Sequence, residues 1–71
     1  MNFTVITSPD FCPPCEHKVM QLRGEGYNPE VLKLTDLETL PDRIRAADLR
    51  SQIEMSGRTD FPFVFMDDVL L

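Results

Sequence analysis

Two cysteines separated by two prolines are the feature of this chain that most limits its fold. The segment Cys12-Pro13-Pro14-Cys15 holds both cysteines of the 71-residue sequence, and it closely follows the apolar run Phe3-Thr4-Val5-Ile6. A disulfide that closes so short a loop removes little entropy from the unfolded chain, so stability is a weak reason for it. A Cys-x-x-Cys beside a strand-helix-strand pattern is instead typical of thiols that cycle between dithiol and disulfide.

Length and charge limit the class of protein. The chain is long enough for one small domain, residues 1–71, and no more. Twelve acidic residues against seven basic ones give a net charge of -5, which argues against a nucleic-acid partner. No apolar run reaches membrane-spanning length, and residues 1–4 lack the start of a secretory signal. We therefore expect a cytoplasmic protein without a membrane partner, in which a cysteine pair is more often catalytic or metal-binding than structural.

The first half of the chain predicts a strand followed by a helix. Residues 2–7 are rich in strand formers, and residues 8–10 have the composition of a turn. We expect the helix to start at Cys12-Pro13, because the N–H that proline lacks has no intrahelical partner in a first turn. Gly24 and Gly26 should end it. Its expected buried side chains are Val19, Met20 and Leu22.

A second strand and a second helix follow. The strand is predicted over residues 29–34, centred on Val31, Leu32 and Leu34. Thr39 is the expected helix cap, with Asp42 completing a pair similar to a capping box, and Gly57 is the expected stop. The predicted buried stripe of this helix consists of Leu40, Ile44, Ala47 and Ile53.

Two strands complete the predicted order. Residues 61–66 are dense in strand formers, Asp67-Asp68 has turn character, and residues 69–71 form a short return strand. Strands joined by crossover helices favour parallel pairing in an α/β layer, whereas the last two strands must be antiparallel. We therefore expect an α/β fold of order βαβαβ(β), a mixed sheet with helices packed on it.

This order, with Cys-Pro-Pro-Cys at the tip of the first strand, resembles the thioredoxin superfamily and, within it, the glutaredoxins. Residues 57–65 are similar to a glutaredoxin segment in which a helix end precedes a Thr-Val-Pro-like tripeptide and an apolar strand. Here the tripeptide is Asp60-Phe61-Pro62. The resemblance covers nearly the whole chain and implies a thioredoxin-like fold in which Pro62 is cis and packs against the cysteine pair.

The chain departs from the glutaredoxin pattern in three places. Pro14 stands where the family usually has tyrosine, and residues 8–11 lack the lysine with which many members hold glutathione. The sequence ends at Leu71 without the family's Gly-Gly motif and final helix, so we expect the C-terminal helix to be absent. We accordingly expect no tightly bound cofactor, with glutathione considered only as an electron donor.

The two cysteines have different expected roles. Thiol–disulfide exchange needs a thiolate. Cys12 lies at the expected helix start, where free N–H groups and the helix dipole favour negative charge and lower the pKa of a thiol. Cys15, about one turn further on, is expected to be more enclosed. We therefore predict that Cys12 attacks the substrate disulfide and that Cys15 resolves the mixed disulfide.

Five further residues are candidates for substrate binding. The resemblance implies that Pro62 lies beside the cysteines and that the backbone of Phe61 pairs with a substrate peptide as an added strand. Pro13 restricts the backbone between the sulfurs. Phe11 is either part of a docking surface or a core residue, and Arg58 either attracts a carboxylate or thiolate or is simply a surface charge.

Three hypotheses for function remain. The leading one is a dithiol–disulfide oxidoreductase that reduces protein or glutathione-mixed disulfides, with ribonucleotide reductase as a client implied by the resemblance. Its electron donor would be glutathione or a flavoprotein disulfide reductase. The second is a metal or iron–sulfur module, for which Cys12, Cys15 and His17 fall short of the four ligands of a structural zinc site. The third is a non-catalytic interaction domain.

Overall fold

Strands and helices alternate along the chain in the predicted order. The computed structural model describes residues 1–71, and its strands are β1 (Phe3–Thr7), β2 (Glu30–Lys33), β3 (Phe63–Met66) and β4 (Val69–Leu70). Its α-helices are α1 (Pro13–Gly24) and α2 (Arg43–Ser56), and a 3₁₀ helix, Leu34–Glu38, follows β2. The chain therefore has an α/β fold with two α-helices and a four-stranded sheet.

The sheet is mixed, as predicted, with strand order β2-β1-β3-β4. β1 pairs in parallel with β2, and Val5 lies opposite Val31. On its other side β1 pairs antiparallel with β3, where Val5 lies opposite Val64. β3 and β4 form an antiparallel hairpin. β1 is therefore an inner strand, and β2 is an outer edge of the sheet.

Each face of the sheet buries a separate apolar cluster, because successive side chains of a strand point to opposite faces. Val5 packs with Val19 and Leu22 of α1 on one face. Ile6 belongs to the larger cluster on the other face, whose buried members are Ile6, Leu37, Leu49, Phe63 and Phe65. Burial of a large aliphatic or aromatic side chain contributes about 1.5–3 kcal/mol, so these clusters hold one helix against each face.

The buried stripe of α1 differs from the prediction at one residue. Val19 and Leu22 are buried as expected, and Cys15 completes the stripe. Met20 was expected to be buried, but it is 69% exposed. Cys15, Val19 and Leu22 follow the spacing i, i+4, i+7 and face the sheet, so Met20 lies about 100° further round the helix, towards solvent. The helix ends at Gly24, as predicted.

The 3₁₀ helix replaces the end of the predicted second strand. Leu34, expected in that strand, instead opens Leu34–Glu38, and β2 ends at Lys33. The Lys33 N–H donates to the Asp36 carboxylate at 2.8 Å, which stabilises this turn of the chain. Leu37 then enters the core, where it is 1% exposed. The strand therefore ends at Lys33, because the 3₁₀ helix buries Leu37 and is stabilised by the hydrogen bond to Asp36.

The start of α2 was predicted too early. Asp42, not Thr39, is the N-cap, because its Oδ1 accepts the Arg45 N–H at 2.9 Å. Thr39 instead ends the 3₁₀ helix. The predicted stop is confirmed: Gly57 caps the C-terminus with a left-handed φ of 71°, a conformation that favours glycine.

The later start also changes the buried face of α2. Of the predicted stripe, Leu40 and Ile53 are partly buried against the larger cluster. Ile44 is 86% exposed, and Ala47 is exposed as well. The fully buried residues are Ala46 and Leu49, which lie three apart and, with Ile53, form the actual apolar stripe.

The C-terminal hairpin agrees with the sequence-based prediction except at its ends. The Phe61–Pro62 peptide bond is cis, as the resemblance implied, and β3 begins directly after it at Phe63. Asp67 and Asp68 form the turn, both with positive φ (49° and 63°), as in the tight hairpin turns that match strand twist. Leu71 lies outside β4, although its N–H donates to the Val64 carbonyl at 2.9 Å.

Arg45 of α2 joins two strands and the β3–β4 turn at the end of the sheet remote from the cysteines. Its Nη2 donates to Glu30 Oε1 at 2.6 Å and to Thr4 Oγ1 at 3.1 Å, and its Nε donates to Asp68 Oδ2 at 3.1 Å. The hydrogen bond from Arg45 holds the pKa of the Glu30 carboxyl below its usual value, although partial burial opposes this shift. The guanidinium thus links β1, β2 and the β3–β4 turn to α2.

We expect Arg45→Met to lower the free energy of unfolding by about 1–2 kcal/mol, since charged hydrogen bonds are lost but the partners are partly solvated. Urea denaturation at neutral pH measures this loss. Arg50→Met is the matched control, because Arg50 is an exposed residue of the same helix outside these hydrogen bonds. Equal losses in both variants would contradict a specific role for Arg45.

The lowered pKa of Glu30 predicts a pH dependence of stability. A carboxyl whose pKa is lower in the folded chain stabilises the fold above its unfolded value of 4.5, and this contribution disappears as the pH falls through the folded pKa. Glu30→Gln should therefore be less stable than wild type at neutral pH. The difference should narrow as urea denaturation is repeated below pH 4.5. A constant difference across this range would contradict the prediction.

Candidate functional site

The connection from β1 to α1 places the cysteine pair at one end of the sheet. After β1, the Asp10 N–H donates to Ser8 Oγ at 3.2 Å, which folds the turn predicted there. Cys12 is the N-cap of α1, and the two prolines occupy the first helical positions. Proline is suited to this site because its fixed φ matches the helix and its missing N–H would be unpaired.

Cys12 and Cys15 are joined by a disulfide, with their Cα atoms 5.3 Å apart. Their surroundings differ as predicted. Cys15 is 2% exposed and belongs to the buried stripe of α1, whereas Cys12 is partly exposed. One sulfur of the pair can therefore be approached from solvent, and the other is enclosed by the helix and the sheet.

A single backbone donor of the helix start is directed at the exposed sulfur. Most helices begin with several free N–H groups, but Pro13 and Pro14 have none. The Cys15 N–H donates to Cys12 Sγ at 3.3 Å and also to the Cys12 carbonyl oxygen at 3.1 Å. The next donor, the Glu16 N–H, binds the same carbonyl at 3.2 Å. The Cys15 N–H is therefore the one helix donor that contacts Cys12 Sγ.

The cysteine pair lines an open groove of about 370 Å³ between the start of α1 and strand β2. Two carboxylates, Asp10 and Glu16, and one amine, Lys33, border it. The residues that line this groove are Thr7, Ser8, Pro9, Asp10, Phe11, Cys12, Cys15, Glu16, Val31 and Lys33. A substrate that reaches Cys12 through this groove therefore contacts β2 as well as the helix.

Two of the predicted substrate-binding residues lie at this groove or beside it. Phe11 lines the groove and is 86% exposed, so it is not a core residue. Pro13, at the first position of α1, is also exposed. Both are therefore accessible to a molecule that approaches Cys12.

Phe61 and Pro62 approach the same end of the sheet from the other side of β1. The antiparallel register sets Ile6 opposite Phe63, so Pro62 lies next to the end of β1. Phe61 packs partly against the larger cluster, with its ring 5.2 Å from that of Phe63. Neither residue lines the groove on the β2 side.

Arg58 is directed elsewhere in this structure. Its Nη2 donates to the Leu71 carbonyl at 2.9 Å, and its guanidinium lies 5.7 Å from the centre of the Phe63 ring. These contacts hold Arg58 against the C-terminal hairpin. Its predicted role beside the thiolate therefore has no direct contact in its favour.

Seven residues of the groove were not among the predicted site residues: four belong to the turn before Phe11 (Thr7, Ser8, Pro9 and Asp10), and the other three are Glu16, Val31 and Lys33. Glu16 directly follows Cys15, and its helical position one turn after Cys12 could have indicated it. Val31 and Lys33 reach the groove only because β2 pairs with β1 in this register, with Thr7 opposite Lys33. Nothing in their local sequence gives that register.

His17 is exposed on α1. The chain contains no group of three or more histidine, cysteine, aspartate or glutamate side chains placed to hold one metal ion. Neither α-helix combines the length and the apolar character that crossing a membrane requires.

Comparisons with known proteins provide no relative for this chain. No protein-family model matches it, and neither curated protein sequences nor solved structures give a significant match. The interpretation of the site therefore depends on its own geometry and chemistry.

The single donor at Cys12 leads to a test with two prolines. An N-cap side chain accepts from the second or third helical residue and not from the first. Pro14→Ala adds an N–H at the second position, so in the reduced protein Cys12 should be alkylated faster at neutral pH than in wild type, because a second donor stabilises its thiolate. The rate of modification by iodoacetamide, followed by intact-protein mass, measures this change.

Pro13→Ala is the matched control, because it removes the neighbouring proline and adds its N–H at the first position. We expect its alkylation rate to stay close to that of wild type. Equal increases in the two variants would indicate a change in backbone freedom rather than a new hydrogen bond to Cys12.

Proposed function

We propose that this protein is a small dithiol–disulfide oxidoreductase that reduces disulfides through Cys12 and Cys15. The observation that carries the proposal is the asymmetry of the pair. Cys12 is a partly exposed N-cap whose sulfur accepts a helix N–H, and Cys15 is 2% exposed directly behind it. An exposed sulfur can attack a substrate, and an enclosed one within disulfide distance can resolve the product.

The proposed reaction transfers two electrons to the substrate. The Cys12 thiolate attacks one sulfur of the substrate disulfide and forms a mixed disulfide with it. The substrate S–S bond breaks, and the departing thiolate takes a proton from solvent. Cys15, as a thiolate, then attacks Cys12 Sγ, which releases the second substrate sulfur as a thiol. The enzyme is left with the Cys12–Cys15 disulfide that the structure contains. A thiol or a flavoprotein disulfide reductase would supply two electrons to restore the dithiol.

A thioredoxin-like, glutaredoxin-like fold is part of this proposal. It is supported by the sheet order β2-β1-β3-β4, by a helix on each face, and by a cis proline at position 62 beside the end of β1. The resemblance suggests protein disulfides as clients, ribonucleotide reductase among them, and glutathione as one donor. A reducing compartment such as the cytoplasm would suit this chemistry.

Substitution of each cysteine separates the two steps. Cys12→Ser should abolish reduction of a disulfide-bonded peptide, because no other thiol of the chain is exposed. Cys15→Ser should still attack but leave substrate attached to Cys12. Loss of peptide disulfide over time measures the first outcome, and intact-protein mass measures the second.

Ser51→Cys, added to the Cys12→Ser variant, is the control. This double variant has an exposed thiol, but the thiol lies on α2. It should remain inactive, because its thiol has neither a helix start nor a resolving partner. Full activity in Cys12→Ser would overturn the proposed function, and so would failure of the wild-type dithiol to reduce any disulfide.

A further inference from the structure

We propose that the substrate of this site is an extended polypeptide that docks in the groove between α1 and the edge strand β2, with a basic side chain near its half-cystine. The inference rests on the proposed oxidoreductase function and adds the substrate class and the docking side. This docking side differs from the one that the resemblance implies, at Phe61 and Pro62, because those residues lie across β1 from this groove.

The groove at the cysteines continues along α1. A second hollow, of about 350 Å³, is lined by residues of α1 and by Val31 of β2. Glu16 and Val31 line both hollows, so the two hollows are adjacent along α1, and together, from Cys12 to Arg23, they are called the channel below. A channel that continues for more than two helical turns beyond the reactive sulfur is longer than a small disulfide requires, whereas an extended peptide can occupy it.

Exposed apolar side chains border this channel. Phe11 is 86% exposed at the cysteine end, Met20 is 69% exposed on α1, and Val31 is 42% exposed on β2. Scattered exposed apolar residues are ordinary on a protein surface. All three border the two adjacent hollows, the first of which includes both sulfurs, and this is the arrangement expected of a docking surface.

The backbone of β2 favours an extended occupant. β2 is the outer strand of the sheet, with β1 on one side and no strand on the other. An edge strand presents backbone N–H and C=O groups on its free side, and an extended peptide can pair with them as an additional strand. On β2 the Lys33 N–H is already bound to Asp36, so such pairing would involve the backbone around Val31. The opposite edge, β4, is only two residues long and lies away from the cysteines.

The charges around the sulfurs determine which polypeptide fits. At the cysteine end of the channel, Asp10 and Glu16 face the single amine of Lys33, so this end has a net negative charge, whereas the cation of Arg23 lies at the other end. A lysine or arginine beside the substrate cysteine would be attracted, whereas an acidic residue would be repelled. We therefore expect a basic peptide to react faster than an acidic one of the same length, and high salt to reduce the difference.

The docking side can be located without relying on turnover. Cys15→Ser is linked through Cys12 to a synthetic peptide that carries one cysteine, a lysine and a leucine, supplied as its thionitrobenzoate disulfide. Backbone amide chemical shifts are compared with those of the same variant linked to mercaptoethanol. The proposal expects the additional changes at residues 20–23 and 31–33. Changes confined to residues 61–64, or no difference between the two adducts, would overturn it.

A pair of methionines provides the kinetic test. Met20→Lys introduces a positive charge into the channel, whereas Met55→Lys makes the same change at a methionine on α2 that is 85% exposed. The measured quantity is kcat/KM for the lysine-bearing peptide disulfide divided by kcat/KM for bis(2-hydroxyethyl) disulfide. We expect this ratio to fall about tenfold in Met20→Lys, because an apolar contact is lost and the lysine-bearing peptide is repelled, and to keep its wild-type value in Met55→Lys. Equal ratios in the two variants would overturn the docking side.

The two proposals fail in distinguishable ways. If wild-type protein reduces neither disulfide, the oxidoreductase function is wrong, and the adduct spectra still report where a peptide lies. If wild-type protein reduces both and the Met20→Lys ratio is unchanged, the function stands and the groove is not the docking surface. A glutamate-bearing peptide that reacts faster than the lysine-bearing one would overturn the proposed charge preference.

Discussion

The pairing of β1 with a strand on each side is the interaction on which the rest of this structure depends. β1 is the only strand that contributes fully buried side chains to both faces of the sheet, Val5 towards α1 and Ile6 towards α2. β2, its parallel partner, and β3, its antiparallel partner, bring distant parts of the chain to the C-terminal end of β1. Because α1 begins shortly after β1, this end of the sheet is where Cys12 must lie.

The elements whose signals are local were predicted well from the sequence. Pro13 and Pro14 indicated the start of α1, Gly57 indicated the end of α2, and Asp67-Asp68 indicated the hairpin turn. Each acts through its own backbone preferences or through a neighbour a few residues away, so no knowledge of packing was needed.

The errors occur where packing decides between nearby alternatives. Thr39 and Asp42 are both acceptable caps, and the choice depends on Leu37, which can enter the core only if a 3₁₀ turn is inserted first. That insertion moves the buried face of the helix and leaves Ile44 in solvent. The groove shows the same division. The cysteine pair was predicted because its signal is local, whereas the β2 side of the groove was not, because Val31 reaches it only through strand register.

The position of both cysteines within one helical turn has a consequence for how oxidation and folding are linked. In a thermodynamic cycle, the free energy of unfolding that the disulfide adds equals the difference between two free energies: that of forming the disulfide in the unfolded chain and that of forming it in the folded chain. A ring that spans a sequence separation of three removes little unfolded-state entropy, so that contribution to the cycle is small. The difference in melting behaviour between oxidised and reduced protein should therefore report the immediate surroundings of Cys12 and Cys15, with little contribution from the length of chain they enclose.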